Sequence, residues 1–118
     1  QAEYHPYLEQ TKMLAHCHSK GLIFMAYCPL ARGGIFKDPV LGDIARNKGR
    51  SIAQVALRWL LQQDIVAPIP RSADAKHMAE SLDVFNFTLS DDEMQRIHAL
   101  RRPNGRIANP AGRAPAWD

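Results

Sequence analysis

Two unbroken apolar runs, Leu22–Tyr27 and Ile65–Ile69, are separated by segments whose apolar residues recur at helical spacing. That alternation constrains the fold more than any other feature. Apolar runs of strand length with helices between them read as parallel strands, because a parallel connection needs a long crossover, usually a helix. Gln1–Glu3 reads as the end of a further strand. The first crossover spans Gln10 to Lys20, where Met13, Leu14 and Cys17 share a face and Gly21 is the stop.

The later helices announce their starts. Asp38 is an N-cap with Pro39 in the first helical position, where a missing N–H is no loss. Val40, Leu41, Ile44 and Ala45 then form an apolar stripe that Gly49 ends. Ser51-Ile-Ala-Gln54 is a capping box, and Ile52, Val55, Ala56, Trp59 and Leu60 follow it at core-facing spacing. Asp74–Leu82 is a short helix candidate. Ser90-Asp-Asp-Glu93 is a second capping box, opening a helix to about Leu100 with Met94, Ile97 and Leu100 inward.

The order is therefore β-α-β-α-α-β-α-α with an irregular tail from Arg101, an α/β pattern. Leu22–Tyr27 is expected to be buried on both faces. Pro68, inside the third run, cannot donate to a ladder. Three such strands leave two raw edges and too little helix cover, so a larger sheet is expected around them.

Composition excludes several classes. With 46% hydrophobic residues the chain has enough apolar surface to bury, so it is not disordered. No apolar run approaches the roughly 18 residues of a membrane span. Fifteen basic against 12 acidic residues leave +3, too thin a charge for nucleic acid without interleaved aromatics. Cys17 and Cys28 are too few for a disulfide scaffold or a zinc cage, and a reduced, cytoplasmic setting is expected. His16, Cys17 and His18 diverge in direction on a helix, so no metal site is expected there.

In parallel α/β architecture, ligands meet the carboxyl ends of strands. Those ends are Gln1 to His5, Tyr27 to Gly34, and Arg71 to Asp74. The third offers a guanidinium, a hydroxyl and amides at a helix start, a combination that holds phosphate; its plainer reading is a helix cap. His5 beside Pro6 reads as a packed structural residue, since a general base needs a partner and a geometry. Tyr27 taken alone reads as core, and Cys28 as a small structural residue.

Several strings in order resemble the C-terminal half of an aldo-keto reductase, in wording closest to the bacterial 2,5-diketo-gluconate-reductase-like branch. They are Gln1-Ala-Glu-Tyr-His-Pro-Tyr-Leu, Ala26-Tyr-Cys-Pro-Leu, Ala53-Gln-Val-Ala-Leu-Arg-Trp, Ile69-Pro-Arg-Ser and Leu82-Asp-Val-Phe-Asn-Phe-Thr-Leu-Ser. The resemblance implies the last three strands of a (β/α)8 TIM barrel that reduces carbonyls with NADPH. Residues 1–100 would be the cofactor-binding part, and 101–118 an irregular tail and substrate loop. By the same resemblance Gln1 would bond the nicotinamide carboxamide, and Tyr27 would stack on its ring. Cys28 stands where the family usually has Ser, and Leu30 with the 31–34 loop would run along the pyrophosphate. Arg71 and Ser72, followed by Ala73 and Asp74 at the helix start, would clamp the 2′-phosphate. His77 stands in place of an Arg against adenine, with Glu80 and Ser81 beside it, and Trp117 is a candidate substrate wall. The catalytic acid and its companions would lie on the missing N-terminal half, so the isolated chain is expected to be inactive. The parent is expected to be a cytoplasmic monomer acting on a small carbonyl compound, with no nucleic acid, membrane or metal partner. The alternative is a non-catalytic nucleotide-binding module of the same fold.

Overall fold

A computed structural model of the chain describes residues 1–116. Its elements run β1 (Ala2–Glu3), α1 (Thr11–Ser19), β2 (Phe24–Tyr27), α2 (Pro39–Lys48), α3 (Ile52–Leu61), β3 (Val66–Pro68), α4 (Ala75–Leu82) and α5 (Asp91–His98), with a 3-10 turn at Ala31–Gly33. The strands form one parallel sheet in the order β1-β2-β3. Ala2 lies opposite Ala26 and Glu3 opposite Tyr27, while Phe24 lies opposite Val66 and Met25 opposite Ala67. Side chains alternate along a strand. One face therefore carries Ala2, Phe24, Ala26 and Val66, and the other carries Glu3, Met25, Tyr27 and Ala67.

The first face is the floor of the core. Phe24, Ala26 and Val66 pack in one cluster with Leu41 and Ile44 of α2 and Val55, Ala56, Trp59 and Leu60 of α3. The other face is covered only in part among the described residues: Glu3 is buried and Tyr27 half-buried. Leu22 and Ile23 precede the strand and are exposed, and Met25 is 42% exposed. The helices that bury Phe24 and Ala26 cover only their own side of the sheet. The third run is also shorter than its apolar residues suggest. Ile65 stands at φ 63°, a left-handed conformation uncommon for a β-branched residue, so the strand begins only at Val66.

The caps form as their chemistry requires. The Asp38 carboxylate accepts the amides of Val40 and Leu41, with Pro39 at the first turn of α2, and Gly49 ends that helix at φ 62°. Both capping boxes close, Ser51 with Gln54 and Ser90 with Glu93. The polar stripe of α3 has a second use. Gln54, Arg58 and Gln62 recur every fourth residue and so share a face. Gln54 Nε2 donates to the carbonyl of Asp83 at 2.9 Å, Arg58 to that of Val84 at 3.2 Å, and Gln62 to that of Leu89 at 3.0 Å. These bonds fasten the stretch that leaves α4 onto α3, and so fix where α4 stands.

Among the described residues, no helix is long and apolar enough to cross a membrane. Among them no cluster of three or more His, Cys, Asp or Glu side chains is placed to hold a metal ion. His16 and His18 are exposed on α1, and His18 meets Asp64 at 3.2 Å instead.

Candidate functional site

Beyond the carboxyl ends of β2 and β3 lies a cleft of about 480 Å³. Leu30, Arg32, Gly33 and Phe36 wall it on the β2 side. Ser51, Ile52 and Ala53 at the start of α3 form its base, Pro70, Arg71 and Ser72 follow β3, and His77, Glu80 and Ser81 come from α4. Six of the residues expected to bind cofactor are thus brought together: Leu30, Arg71, Ser72, His77, Glu80 and Ser81. Gln1, Tyr27, Cys28, Ala73 and Asp74 do not line it. Trp117 lies outside the described residues.

Backbone strain shapes the β2 side. Cys28, Ala31 and Arg32 adopt φ of 52°, 48° and 51°, all left-handed and none of them glycine. Such conformations gather where a loop must present its backbone in a particular way. The turn holds itself together, the Ala31 amide donating to Cys28 O at 2.9 Å and the Gly33 amide to Leu30 O at 2.8 Å.

The electrostatics are lopsided. Two guanidiniums, Arg32 and Arg71, face the cleft against one carboxylate, Glu80. Neither guanidinium meets a carboxylate among the described residues, whereas Arg46, Arg50, Arg96 and Arg101 all do. Unpaired arginines around a concavity favour an anionic ligand, because the fork of N–H donors matches phosphate oxygens.

The start of α4 is capped by its own residues: Asp74 accepts the His77 amide at 3.0 Å, and the Asp74 amide donates to Ser72 Oγ at 3.0 Å. The His77 amide, above all, holds the Asp74 carboxyl below its usual range. With the His77 amide taken by Asp74, Arg71 is the charged donor available to an anion at this point. Gln54 was legible only as a capping residue, yet its side chain also bonds the Glu80 carbonyl at 3.3 Å and holds that turn of α4 in place. Phe36, Ile52 and Ala53 carried no sequence signal beyond ordinary apolar patterning. A neighbouring hollow of about 580 Å³ shares Ser51 and Glu80 with the cleft, but its Arg50 is already paired with Asp83 at 2.8 Å.

At the end of β1 sits a second polar group. Glu3 and His5 are fully buried, and His5 Nε2 lies 2.9 Å from Glu3 Oε1. The Tyr7 amide donates to His5 Nδ1 at 3.3 Å, so the ring proton is on Nε2, directed at Glu3. Glu3 also accepts the amides of Ile107 and Ala108 at 2.7 and 2.8 Å. Tyr7 Oη donates to Asp38 at 2.8 Å. Burial first, and then the Asp38 carboxylate, push the Tyr7 hydroxyl up to about 12.

Burial pushes the His5 ring below its ordinary value of 6.5, against the opposing pull of Glu3. Burial alone would raise Glu3, but the Ile107 amide, His5 and the Ala108 amide hold it below its ordinary 4.5. Both groups have folded values below their unfolded ones, so the unfolded chain takes up more protons as pH falls. Stability is expected to drop in two windows, below about 6.5 for His5 and below about 4.5 for Glu3. Thermal melts from pH 7.5 to 3.5 check this. His98 is also pushed below 6.5 by burial, so a His5→Gln variant shrinks the upper step without abolishing it, and a flat profile between pH 6.5 and 5 would contradict a neutral, buried His5.

Residues 1–102 match the aldo/keto reductase family profile. The uncharacterized oxidoreductase YtbE of Bacillus subtilis is 41% identical over 100 residues, which are 85% of this chain and 35% of that protein. A crystal structure described provisionally as 2,5-diketo-D-gluconic acid reductase B superposes with a TM-score of 0.94 at 44% identity, over 98% of this chain and 41% of that one. A mutant of Gox0644 in complex with NADPH superposes with a TM-score of 0.86 at 36% identity, over 91% of this chain and 39% of that one. The chain thus spans about a third of the curated relative and about two fifths of the solved structures. The profile match over most of the chain, carried on three parallel strands and their crossover helices, places it in the aldo/keto reductase family.

Proposed function

We propose that this chain is the cofactor-binding, C-terminal part of an NADPH-dependent reductase that converts small aldehydes or ketones to alcohols. It would supply the last three strands of a (β/α)8 barrel. The observation that carries the reading is the cleft itself, where two guanidiniums without a carboxylate partner among the described residues, three serine hydroxyls, an imidazole and a single carboxylate converge beyond the strand ends. That donor set fits a dinucleotide carrying an extra phosphate. The likeness to a structure holding NADPH supports the same cofactor, and the 44% identity to the diketogluconate reductase structure favours that branch.

On this reading Arg71 and Ser72 hold the 2′-phosphate, with Arg71 supplying the charge. Ser72 must turn its hydroxyl from the Asp74 carbonyl, a long bond of 3.3 Å, to take part. His77 offers a flat ring against adenine, and Glu80 accepts from its amino group beside Ser81. Leu30 and the strained turn at 31–34 line the pyrophosphate path, with Cys28 at its head. Ala73 and Asp74 shape the phosphate corner from the helix start. Tyr27 is half-buried and pairs in register with Glu3, two residues along from Gln1, so Tyr27 and Gln1 would flank the nicotinamide.

When bound, NADPH supplies the hydride that reduces the carbonyl carbon. The oxygen would take its proton from an acid on the family's earlier strands, as the resemblance implies. Tyr27 and Gln1 orient, Arg71 anchors, and the tail around Trp117 borders the substrate. Both cysteines are free, in keeping with a reducing cytoplasmic setting.

NADPH fluorescence titration of the chain tests the reading. Saturable binding with no turnover of a small aldehyde is the expected result. The whole reductase is expected to oxidise NADPH with that aldehyde. Absence of NADPH binding by either protein would overturn the reading, and binding by the whole protein without turnover would leave a nucleotide-binding module.

A further inference from the structure

The buried Glu3 is not used by the cofactor cleft, and its surroundings assign it another task. Both of its carboxylate oxygens are engaged, Oε1 by the Ile107 amide and His5 Nε2, and Oε2 by the Ala108 amide. Burying a carboxylate is costly unless donors replace its water, and here two of the three donors come from the tail. The seat is shaped as well as charged. Gly105 is buried against Tyr7, and a Cβ there would overlap the Tyr7 carbonyl oxygen. The Arg102 amide donates to that same oxygen at 3.0 Å, and the Arg102 guanidinium lies 3.8 Å over the Tyr7 ring. Residues 102–108 are therefore fitted to the segment 3–8 by charge, by shape and by a cation on an aromatic face.

The position of the seat matters. Glu3 is the register partner of Tyr27, and both stand on the sheet face away from the helices. A tail held by Glu3 therefore crosses the sheet beside Tyr27. We propose that Glu3 is a positioning residue, which seats the C-terminal tail next to Tyr27 so that the tail borders the carbonyl substrate. His5 supports it by donating to the same carboxylate, which accounts for a buried histidine with no catalytic geometry. The inference deepens the reductase reading and rests on it for the identity of the substrate, though not for the seat.

Amide exchange in the full chain tests the seat. In Glu3→Gln one tail amide meets an NH₂ group instead of an acceptor. Exchange at Ile107 and Ala108 is expected to quicken by on the order of tenfold or more, while Val55 and Leu57 in α3 keep their protection. Gly105→Ala lifts the tail with Glu3 intact and is expected to speed the same two amides. The double variant adds little to either alone, since both break one contact. In the whole reductase Glu3→Gln raises KM for the carbonyl compound about tenfold, with NADPH KM within about twofold. Unchanged exchange at Ile107 and Ala108 in both single variants overturns the seat. A carbonyl KM that stays fixed while the tail amides loosen overturns the positioning role. If the unaltered chain and the whole protein both fail to bind NADPH, the reductase reading falls, and the exchange result still decides the seat.

Discussion

Arg71→Ala weakens NADPH binding on the order of tenfold to a hundredfold and leaves NADH binding within about twofold. The size follows from removing a charged donor that faces a charged acceptor, an interaction of about 1.5–3 kcal/mol. Specificity follows from placement, since NADH lacks the phosphate that the guanidinium would meet. No carboxylate among the described residues competes for Arg71, so its full charge is available to the ligand. Arg71→Lys keeps the charge and loses the two-pronged fork, and it is expected to fall between wild type and alanine. Added salt weakens NADPH binding to wild type more than to Arg71→Ala. Titrations with both nucleotides at two ionic strengths check this. Equal losses for NADPH and NADH would place Arg71 elsewhere on the dinucleotide, and no loss for either would remove it from the site.

Trp59→Ala is expected to lower the unfolding free energy by about 3–5 kcal/mol, the range for large aromatics cut from a core. Trp59 is 1% exposed and stands at the centre of an aromatic group, its ring 5.2 Å from both Tyr4 and His98. It joins β1, α3 and α5, so no single helix can move in to fill the space. Trp59→Phe should cost only about 1 kcal/mol. That change shrinks the ring but also removes a buried indole N–H that has no partner among the described residues. Urea unfolding followed by helical circular dichroism measures both. An alanine variant within about 1 kcal/mol of wild type would show that the core is not organised around this ring.

The helices were legible because their starts are written in side chains. Asp38 with Pro39, Ser51 with Gln54, and Ser90 with Glu93 are local pairs, and each caps the helix it was read to cap. The strands were legible only in existence. Leu22 and Ile23 are as apolar as Phe24, but they precede the strand and lie exposed while Phe24 packs under the helices, a difference no local pattern records. Likewise Ile65 belongs to the apolar run and yet takes a left-handed turn. At the cleft, Arg71 followed from its place after a strand end, His77 and Glu80 from the resemblance, and all three line one hollow. The turn at Arg71–Asp74 could be read as a phosphate site or as a helix cap, and Asp74 does cap α4, taking the His77 amide. The tail partners of Glu3 left no trace in the sequence. They are backbone amides, identical at every residue, and only the glycine at position 105 hints that the chain passes close to something there.

The bonds from Ile107 and Ala108 to Glu3 join positions 104 and 105 apart in the chain. Their closure entropy is modest, since each doubling of a loop adds only about 0.6 kcal/mol. Their cost is in time. A contact between such distant positions cannot reward the chain until β1 has been paired with β2 and the sheet exists to receive it. The tail therefore docks last in folding and departs first in unfolding, and a protease that cuts between 101 and 113 samples this final step without waiting for the core to open.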